Sequence, residues 1–231
     1  MTRWQSFFVM ILFMSCGKED VEPDKCLAVD ESQLTIEQQV LLEVVFGSEF
    51  EAVSERARKW NQDLKIFVPE SPPDFLDDEL DLVIAEINGL SQSTRINRVY
   101  NEAISNLIMY FGDGETYIQE YEPAAKELIL TNRGLFSTKW DRKSYEIYSG
   151  TIWVDLVNEQ DPDCLKHLLR EELTQVLGMV NDIDEFEDSI FYEGYRCGTE
   201  YTALDRELIM TFLKDEVKAG MCKADFLKRM N

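Results

Sequence analysis

The sequence predicts a domain of the α+β class, and three observations lead to this prediction. Residues 36–45 and 75–88 space their apolar side chains as amphipathic helices do. Short apolar runs bounded by turn-forming residues follow in the middle of the chain and are typical of strands. The last part of the chain is again mainly helical in pattern. Helices before a mixed or antiparallel sheet, and helices after it, describe an α+β domain.

The first four elements are predicted to be three helices and one strand. In chain order they lie at residues 36–45 (helix), 49–60 (helix), 64–68 (strand) and 75–88 (helix). Pro69 closes the strand, because proline has no backbone N–H to donate to a neighbouring strand. The helix at residues 75–88 carries acidic residues in its first turn, where the helix dipole favours them, and Gly89 is predicted to stop it.

The remaining elements are predicted to be four strands followed by helices. The strands lie at residues 95–100, 106–111, 134–138 and 150–157, with a short helix at 124–128 between them. The helices lie at residues 162–180 and 202–217, with a short final piece from Lys223. Apolar residues make up 45% of the chain, which is enough for one sizeable core. Residues 34–231 are therefore expected to form a single domain.

The first fifteen residues have the pattern of a secretory signal. Arg3 precedes an apolar run at residues 7–14, and Ser15 stands at the cleavage position before Cys16. The apolar run is too short to span a bilayer. The sequence Phe13-Met14-Ser15-Cys16 resembles a lipobox, which implies that Cys16 carries lipid and anchors the mature chain to a membrane. The alternative is an ordinary signal peptide with an incidental cysteine at position 16.

A polar segment at residues 16–33 follows and is expected to be a flexible tether, since it is charged and contains Pro23. Its beginning, Gly17-Lys18-Glu19-Asp20, resembles a signal that carries some bacterial lipoproteins to the outer face of the outer membrane. The resemblance implies a cell-envelope location, as an outer-membrane lipoprotein exposed at the surface. The alternative reading of these four residues is a solvated part of the tether.

The net charge excludes some partners and favours others. The chain has a formal charge of −22, and removal of residues 1–15 takes away one positive charge, Arg3, which leaves −23. Such a surface repels phosphate, so nucleic acid is not an expected partner, nor is an electrostatic hold on anionic lipid. A cationic peptide or a basic protein would be attracted.

Cys26, Cys164, Cys197 and Cys222 remain besides Cys16, an even number in a chain predicted to be exported. Four cysteines allow three pairings. We favour Cys164 with Cys197, because they flank the helix described next, and this leaves Cys26 for Cys222. A zinc site built from these residues is not expected, because no two cysteines form a CxxC pair and His167 is the only histidine.

The helix predicted at residues 162–180 carries the main functional signal. It begins with an aspartate N-cap and a proline, and its apolar residues gather on one broad face. Glu172 falls inside the apolar arc and is predicted to point toward the interior, whereas His167 falls on the polar side and is predicted to face solvent. Glu171 and Gln175 lie along the border of the arc, so they and Glu172 are predicted to share one pocket.

A glycine and an asparagine follow on the same segment. Gly178 has no side chain and is expected to let the backbone turn closely, and Asn181 begins a natural break after the helix. The segment from Glu171 to Asn181 resembles the HExxHxxGxxH zinc motif of metzincin peptidases. The resemblance places Glu172 at the general-base position, Gly178 at the glycine, and Glu171, Gln175 and Asn181 at the three ligand positions. It implies a zincin-like fold.

The chain departs from the metzincin pattern in two ways. The zinc-binding histidines are replaced, and no Met occurs between Met179 and Met210, where metzincins place a methionine beneath the metal; Cys197 stands in that region. More closely, the chain resembles a family of exported bacterial proteins of unknown function, many of them lipoproteins, which carry Glu-Glu-x-x-Gln in this motif. Glutamine and asparagine bind zinc poorly, so neither a metal nor another cofactor is expected.

Three hypotheses about function follow. The first is a non-catalytic, zincin-like module on a cell-envelope lipoprotein, which binds a peptide or protein partner in a cleft formed by Glu171, Glu172, Gln175, Gly178 and Asn181. The second is a metal-independent hydrolase that uses Glu172, with Gln175 beside it, as general acid or base. The third is a purely structural envelope protein in which Glu172 is a buried polar residue that holds the following loop. The first is favoured, because the metal ligands are missing.

Overall fold

Six strands form one mixed sheet at the centre of the structure. The computed structural model describes residues 25–47 and 54–230. The strands are β1 (Lys59–Trp60), β2 (Leu64–Phe67), β3 (Ile96–Val99), β4 (Leu107–Gly112), β5 (Gly134–Trp140) and β6 (Glu146–Asp155). The α-helices within the described ranges are α1 (Ile36–Phe46), α2 (Asp74–Leu90), α3 (Gly114–Glu120), α4 (Pro162–Gln175), α5 (Ala203–Phe212) and α6 (Lys223–Leu227). The predicted α+β class is confirmed.

The order of the strands is β1-β6-β4-β2-β3, and all of these neighbours are parallel. Strand β5 pairs with β6 in the antiparallel direction. Because residues 150–155 of β6 already pair with β4, β5 lies along the other side of β6 and forms an edge of the sheet. Strand β5 is therefore the antiparallel edge strand of an otherwise parallel sheet.

The two faces of the sheet bury different clusters, because side chains alternate along a strand. Met109 of β4 and Ile152 of β6 belong to the main core, which α1, α2, α4, α5 and α6 help to enclose. The residues one position further along, Tyr110 and Trp153, belong to a smaller aromatic cluster with Tyr117 of α3. Helix α4 thus lies in the main core, and α3 covers part of the opposite face.

Several predicted boundaries were wrong. The helix at residues 49–60 is not formed over its described part: residues 54–60 are not helical, and the chain enters the sheet at β1, where the Lys59 N–H donates to Tyr145 O at 3.2 Å. Residues 48–53 lie outside the described ranges. Gly89 lies inside α2 and does not stop it. Helix α3 was not predicted, because it has only seven residues and begins with Gly114.

The helices in the last part of the chain end earlier than predicted. Helix α4 ends at Gln175 instead of residue 180, because Gly178 has a φ of +119°, which a right-handed helix cannot contain. Helix α5 ends at Phe212 instead of residue 217. There the carbonyl groups of Lys214 and Val217 accept hydrogen bonds from Lys59 Nζ, so this turn is held by a side chain from β1.

The two disulfide bonds join Cys26 to Cys222 and Cys164 to Cys197, the pairing favoured from the sequence. Residues 25–33 therefore lie against the C-terminal part of the domain, and Glu31 also forms an ion pair of 2.8 Å with Lys223. Cys16 and the predicted signal lie outside the described residues. Within the described ranges, no helix is both long enough and apolar enough to cross a membrane.

Candidate cleft beside helix α4

Helix α4 is held firmly in the main core. The side chain of Asp161 accepts hydrogen bonds from the backbone N–H groups of Asp163 and Cys164, which caps the first turn. The helix packs closely on the sheet at Gly150 of β6: a Cβ there would lie 3.3 Å from Val176 and 2.8 Å from the Ser137 carbonyl oxygen. The residue that follows α4 therefore lies close against a strand residue that has no side chain.

Glu172 lies at the interface of α4 and β5. Glu172 is 5% exposed, which confirms the prediction that it points toward the interior. The carboxylate packs against the Cα atom of Gly134, the first residue of β5, and a Cβ at Gly134 would overlap with Glu172 Oε1. Gly134 thus creates the space that Glu172 occupies. The sequence shows this glycine, but its role follows only from the pairing of helix and strand.

Gln175 lies one turn after Glu171 and is 4% exposed. Its Nε2 donates to Asp182 Oδ1 at 2.6 Å, so the amide is fixed by the loop that follows the helix. A cleft of about 70 Å³ is lined by residues from α4, β5 and their neighbouring loops: Asn132, Gly134, Leu135, Phe136, Glu171, Glu172, Gln175 and Asp182. The structure therefore brings Glu171, Glu172 and Gln175 together, as predicted, and adds Asp182, which was not predicted to line this cleft.

Asn181 does not belong to this cleft, contrary to prediction. Its backbone N–H donates to Val44 O in α1, and its Nδ2 donates to the carbonyl oxygen of Asp182. Its side chain fills the space beside Gly47, where a Cβ would overlap with it. The cause is the turn at Gly178, which directs the chain toward α1.

Gly178 makes the close turn that was predicted. Its φ of +119° lies in the region that favours glycine, and a Cβ would overlap with the carbonyl oxygen of Arg58. The segment after α4 therefore passes directly over the chain that leads into β1. Gly178 shapes the end of the helix but does not line the cleft.

His167 is buried, so the prediction that it faces solvent was wrong. It is 6% exposed; its Nδ1 lies 2.7 Å from the carbonyl oxygen of Gly198, and its Nε2 lies 3.5 Å from Glu171 Oε2. Burial lowers the pKa of the imidazole, although the Gly198 carbonyl acts in the opposite direction. The disulfide between Cys164 and Cys197 explains the burial, because it draws residue 198 over the first turns of α4.

A second polar group on α4 was missed from the sequence. Arg170 is 1% exposed, and its guanidinium forms ion pairs with Glu79 at 2.7 Å and with Glu86, both on α2. The ring of Tyr201 lies 4.5 Å from the guanidinium carbon, and the Tyr201 hydroxyl lies 2.6 Å from the Thr174 hydroxyl oxygen. This network joins α4 to α2 and to the segment before α5.

The donors around the cleft do not fit a catalytic zinc ion. Of the three positions that the metzincin resemblance assigns to ligands, Gln175 uses its amide on Asp182 and Asn181 lies outside the cleft. Within residues 25–47 and 54–230, no group of three or more His, Cys, Asp or Glu side chains is arranged to hold a metal ion. The cleft is instead lined by carboxylates and amide groups, and it lies beside the backbone of the edge strand β5.

Comparison with known proteins identifies the family. Residues 36–230 match the family described as "Protein of unknown function (DUF2927)", and since this match covers most of the chain, the chain belongs to that family. No curated protein sequence matches the chain.

Two solved structures of myroilysin are similar to part of this chain. One has a TM-score of 0.41 at 10% identity and covers 66% of this chain and 81% of its own. The other has a TM-score of 0.43 at 9% identity and covers 66% of this chain and 84% of its own. Values this low have no bearing on the chemistry of the cleft.

Proposed function

We propose that this protein is a cell-envelope lipoprotein whose domain binds an extended, basic peptide segment of a partner. The segment would pair with the outer edge of β5 and place a Lys or Arg side chain at the acidic cleft beside α4. In this proposal, the segment from Glu171 to Gly178 is a zinc-peptidase motif that has lost its metal and retains a binding role. The observation that carries the proposal is the position of the edge strand directly next to the cleft.

The edge of β5 supports pairing with a peptide. In the antiparallel ladder, the Asp155 N–H donates to Arg133 O at 2.8 Å, so position 133 directs its backbone groups toward β6. Backbone groups alternate in direction along an antiparallel strand, so those of Gly134, Phe136 and Thr138 point outward, away from β6. Within the described ranges no strand pairs with this edge. An outer row of backbone donors and acceptors is what an added strand requires.

The charges at the cleft support a basic ligand. Glu171, Glu172 and Asp182 contribute three carboxylates to one small cleft, and the whole chain has a formal charge of −22. A volume of about 70 Å³ is too small for a peptide but large enough for the end of one side chain. A cationic side chain would therefore enter the cleft while the peptide backbone remains on β5.

Binding is favoured over hydrolysis because the cleft lacks the parts of a known hydrolytic site. The donors do not fit zinc, and the amide nitrogen of Gln175 already donates to Asp182. Activity against peptides that disappears in Glu172→Gln would favour the hydrolase hypothesis instead. A domain without any ligand, in which Glu172→Gln lowers only the melting temperature, would favour the structural hypothesis.

The binding experiment uses a fluorescent seven-residue peptide that alternates Lys with Val or Thr, and fluorescence polarisation measures its affinity. Thr138→Pro removes an outward N–H without removing a hydrogen bond to β6, and we expect it to weaken binding by about tenfold or more. Thr138→Val keeps that N–H and is the matched control. Equal affinity of both variants for the peptide would contradict pairing at β5, and so would equal binding of a peptide with Glu in place of Lys.

The lipid anchor requires a separate experiment, because its support comes from the sequence around Cys16. Metabolic labelling with an alkyne analogue of palmitate should label the full-length chain in a bacterial host, and Cys16→Ala should abolish the label. Release of the Cys16→Ala chain into the soluble fraction would agree with anchoring. Unchanged labelling in that variant would contradict it.

A further inference from the structure

A buried lysine lies outside the cleft described above. Lys59, the first residue of β1, is 3% exposed. Its Nζ donates to the carbonyl oxygens of Lys214 at 3.0 Å and Val217 at 2.9 Å, and it lies 5.5 Å from the centre of the Phe212 ring. No carboxylate forms an ion pair with this lysine among the described residues. Lysine is rarely buried this deeply without such a pair.

The same residue lines a cavity of about 410 Å³ near the amino ends of β2, β3 and β6. The cavity is formed by the loop between β1 and β2, the loop before β3, the first residue of β6 and the turn after α5. Its walls are mainly polar and include Asn61, Ser93, Thr94 and Lys218, together with the acidic residues Asp63, Glu146 and Asp215. A volume of this size is typical of a site for a small molecule.

The hydrogen bonds of Lys59 fit a neutral amine. An ammonium group has three N–H donors, whereas a neutral amine has two N–H donors and one lone pair. The two carbonyl oxygens of Lys214 and Val217 can accept both N–H groups of the neutral amine, which leaves the lone pair directed away from them. Burial, with Lys218 as a like-charged neighbour, lowers the pKa of Lys59 to about 8, although the carboxylates of Asp215 and Glu216 act in the opposite direction. Part of this amine is therefore neutral near physiological pH.

We propose that Lys59 is a nucleophilic amine that condenses with the carbonyl group of a small polar aldehyde bound in this cavity. The side chains of Asn61, Ser93 and Thr94 already donate hydrogen bonds within the protein. Their oxygen atoms can still accept hydrogen bonds, which suits a ligand that carries hydroxyl groups. Buried lysines with a depressed pKa are the usual source of such Schiff-base chemistry. This site is independent of the peptide cleft, and it would give the protein a second ligand.

The reaction balances without an oxidant, reductant or metal. The amine lone pair attacks the aldehyde carbon, and a C–N bond forms as the carbonyl oxygen takes up a proton. The nitrogen then loses its two protons, the oxygen departs as water, and a C=N bond remains. When this imine takes up one proton, its N–H can donate to one of the two carbonyl oxygens that previously held the amine.

The test measures how fast each lysine of the folded protein reacts with glyceraldehyde. Sodium cyanoborohydride reduces the imine to a stable amine, and peptide mapping by mass spectrometry gives the rate at every lysine. We expect Lys59 to react about tenfold or more faster than the exposed Lys126 at pH 8, with a rate that rises with a midpoint near pH 8. A rate at Lys59 equal to or below that at Lys126 would overturn the proposal.

A second arm tests the role of the cavity, and it retains Lys59 itself. Ala219 lines the cavity, so Ala219→Trp should obstruct it and lower the rate at Lys59 by about fivefold or more, while the rate at Lys126 stays unchanged. In protein unfolded in urea, Lys59 and Lys126 should react at similar rates. Reaction at Lys59 that is unaffected by Ala219→Trp would contradict binding of the aldehyde in this cavity.

Discussion

Helix α4 carries buried charge on two sides, and the two sides differ in where their partners lie. On one side, Arg170 is paired with Glu79 and Glu86 of α2, and all of these residues belong to the same closed network. On the other side, Glu171 and Glu172 line a cleft that ends at the edge strand β5. The first side holds helices together, whereas the second is placed next to backbone that a ligand could use.

Burial of a charged residue is therefore not by itself a sign of function. A buried ion pair has a large desolvation cost, and its attraction offsets that cost only when the partners are well placed. Arg170 is more deeply buried than Glu172, yet its ion pairs with Glu79 and Glu86 explain it as a structural residue. What distinguishes the cleft from the Arg170 network is the neighbouring edge strand and the negative charge of its lining. Burial of Glu172 alone would not distinguish the two sides.

The largest effect is expected on the structural side. Arg170→Met leaves the carboxylate of Glu79, which is 6% exposed, without its principal cation, so the free energy of unfolding should fall by about 3–5 kcal/mol. Urea denaturation measures the change. The matched control is Arg206→Met, because the Arg206 side chain is 44% exposed in its ion pair with Glu86. This substitution should lower the free energy of unfolding by less than about 1 kcal/mol.

An intermediate effect is expected where α4 meets β5. Gly134→Ala places a methyl group against the Glu172 carboxylate, so the free energy of unfolding should fall by about 1–3 kcal/mol. In a Glu172→Ala background the overlap is removed, and the same substitution should cost at least about 1 kcal/mol less. Additive effects of the two substitutions in urea denaturation would contradict the packing described here.

The smallest effect concerns His167. Its folded-state pKa lies below the ordinary value of 6.5, so below about pH 6.5 the unfolded chain binds more protons than the folded one. The free energy of unfolding should therefore decrease as the pH falls below about 6.5, and His167→Gln should show a weaker decrease. The comparison requires urea denaturation at several pH values between 5 and 7.5, roughly one unit or more on each side of the ordinary value. Identical pH dependence in both proteins would show that another group is responsible.

The sequence predicted the α+β class and most elements because their patterns are local. Leu64–Phe67 and Asp74–Leu90 have clear strand and helix spacing, and both were found within a residue or two of the predicted bounds. The segment before Trp60 was mistaken for a helix because its extended course depends on a pairing with β6, which is distant in the chain. Long-range pairing of this kind leaves no periodic signal.

The candidate cleft was predictable to a similar extent. Helical spacing alone brought Glu171, Glu172 and Gln175 together, but it could not show that Gly134 makes room for Glu172. The exposure of His167 was mispredicted, because a helical projection does not include the loop that the Cys164–Cys197 disulfide draws over it. Lys59 was not singled out, because its burial follows from the turn after α5.

Amide hydrogen exchange of the domain with and without the Lys-rich peptide tests pairing at β5 most directly. If the peptide pairs with β5, the outward amides of Phe136 and Thr138 should exchange more slowly when it is bound, by about tenfold or more at saturation. The amides of Leu135 and Ser137, which face β6, serve as the internal reference and should change little. Protection that is confined to another part of the domain, or no protection at β5 with bound peptide, would contradict pairing of the peptide with β5.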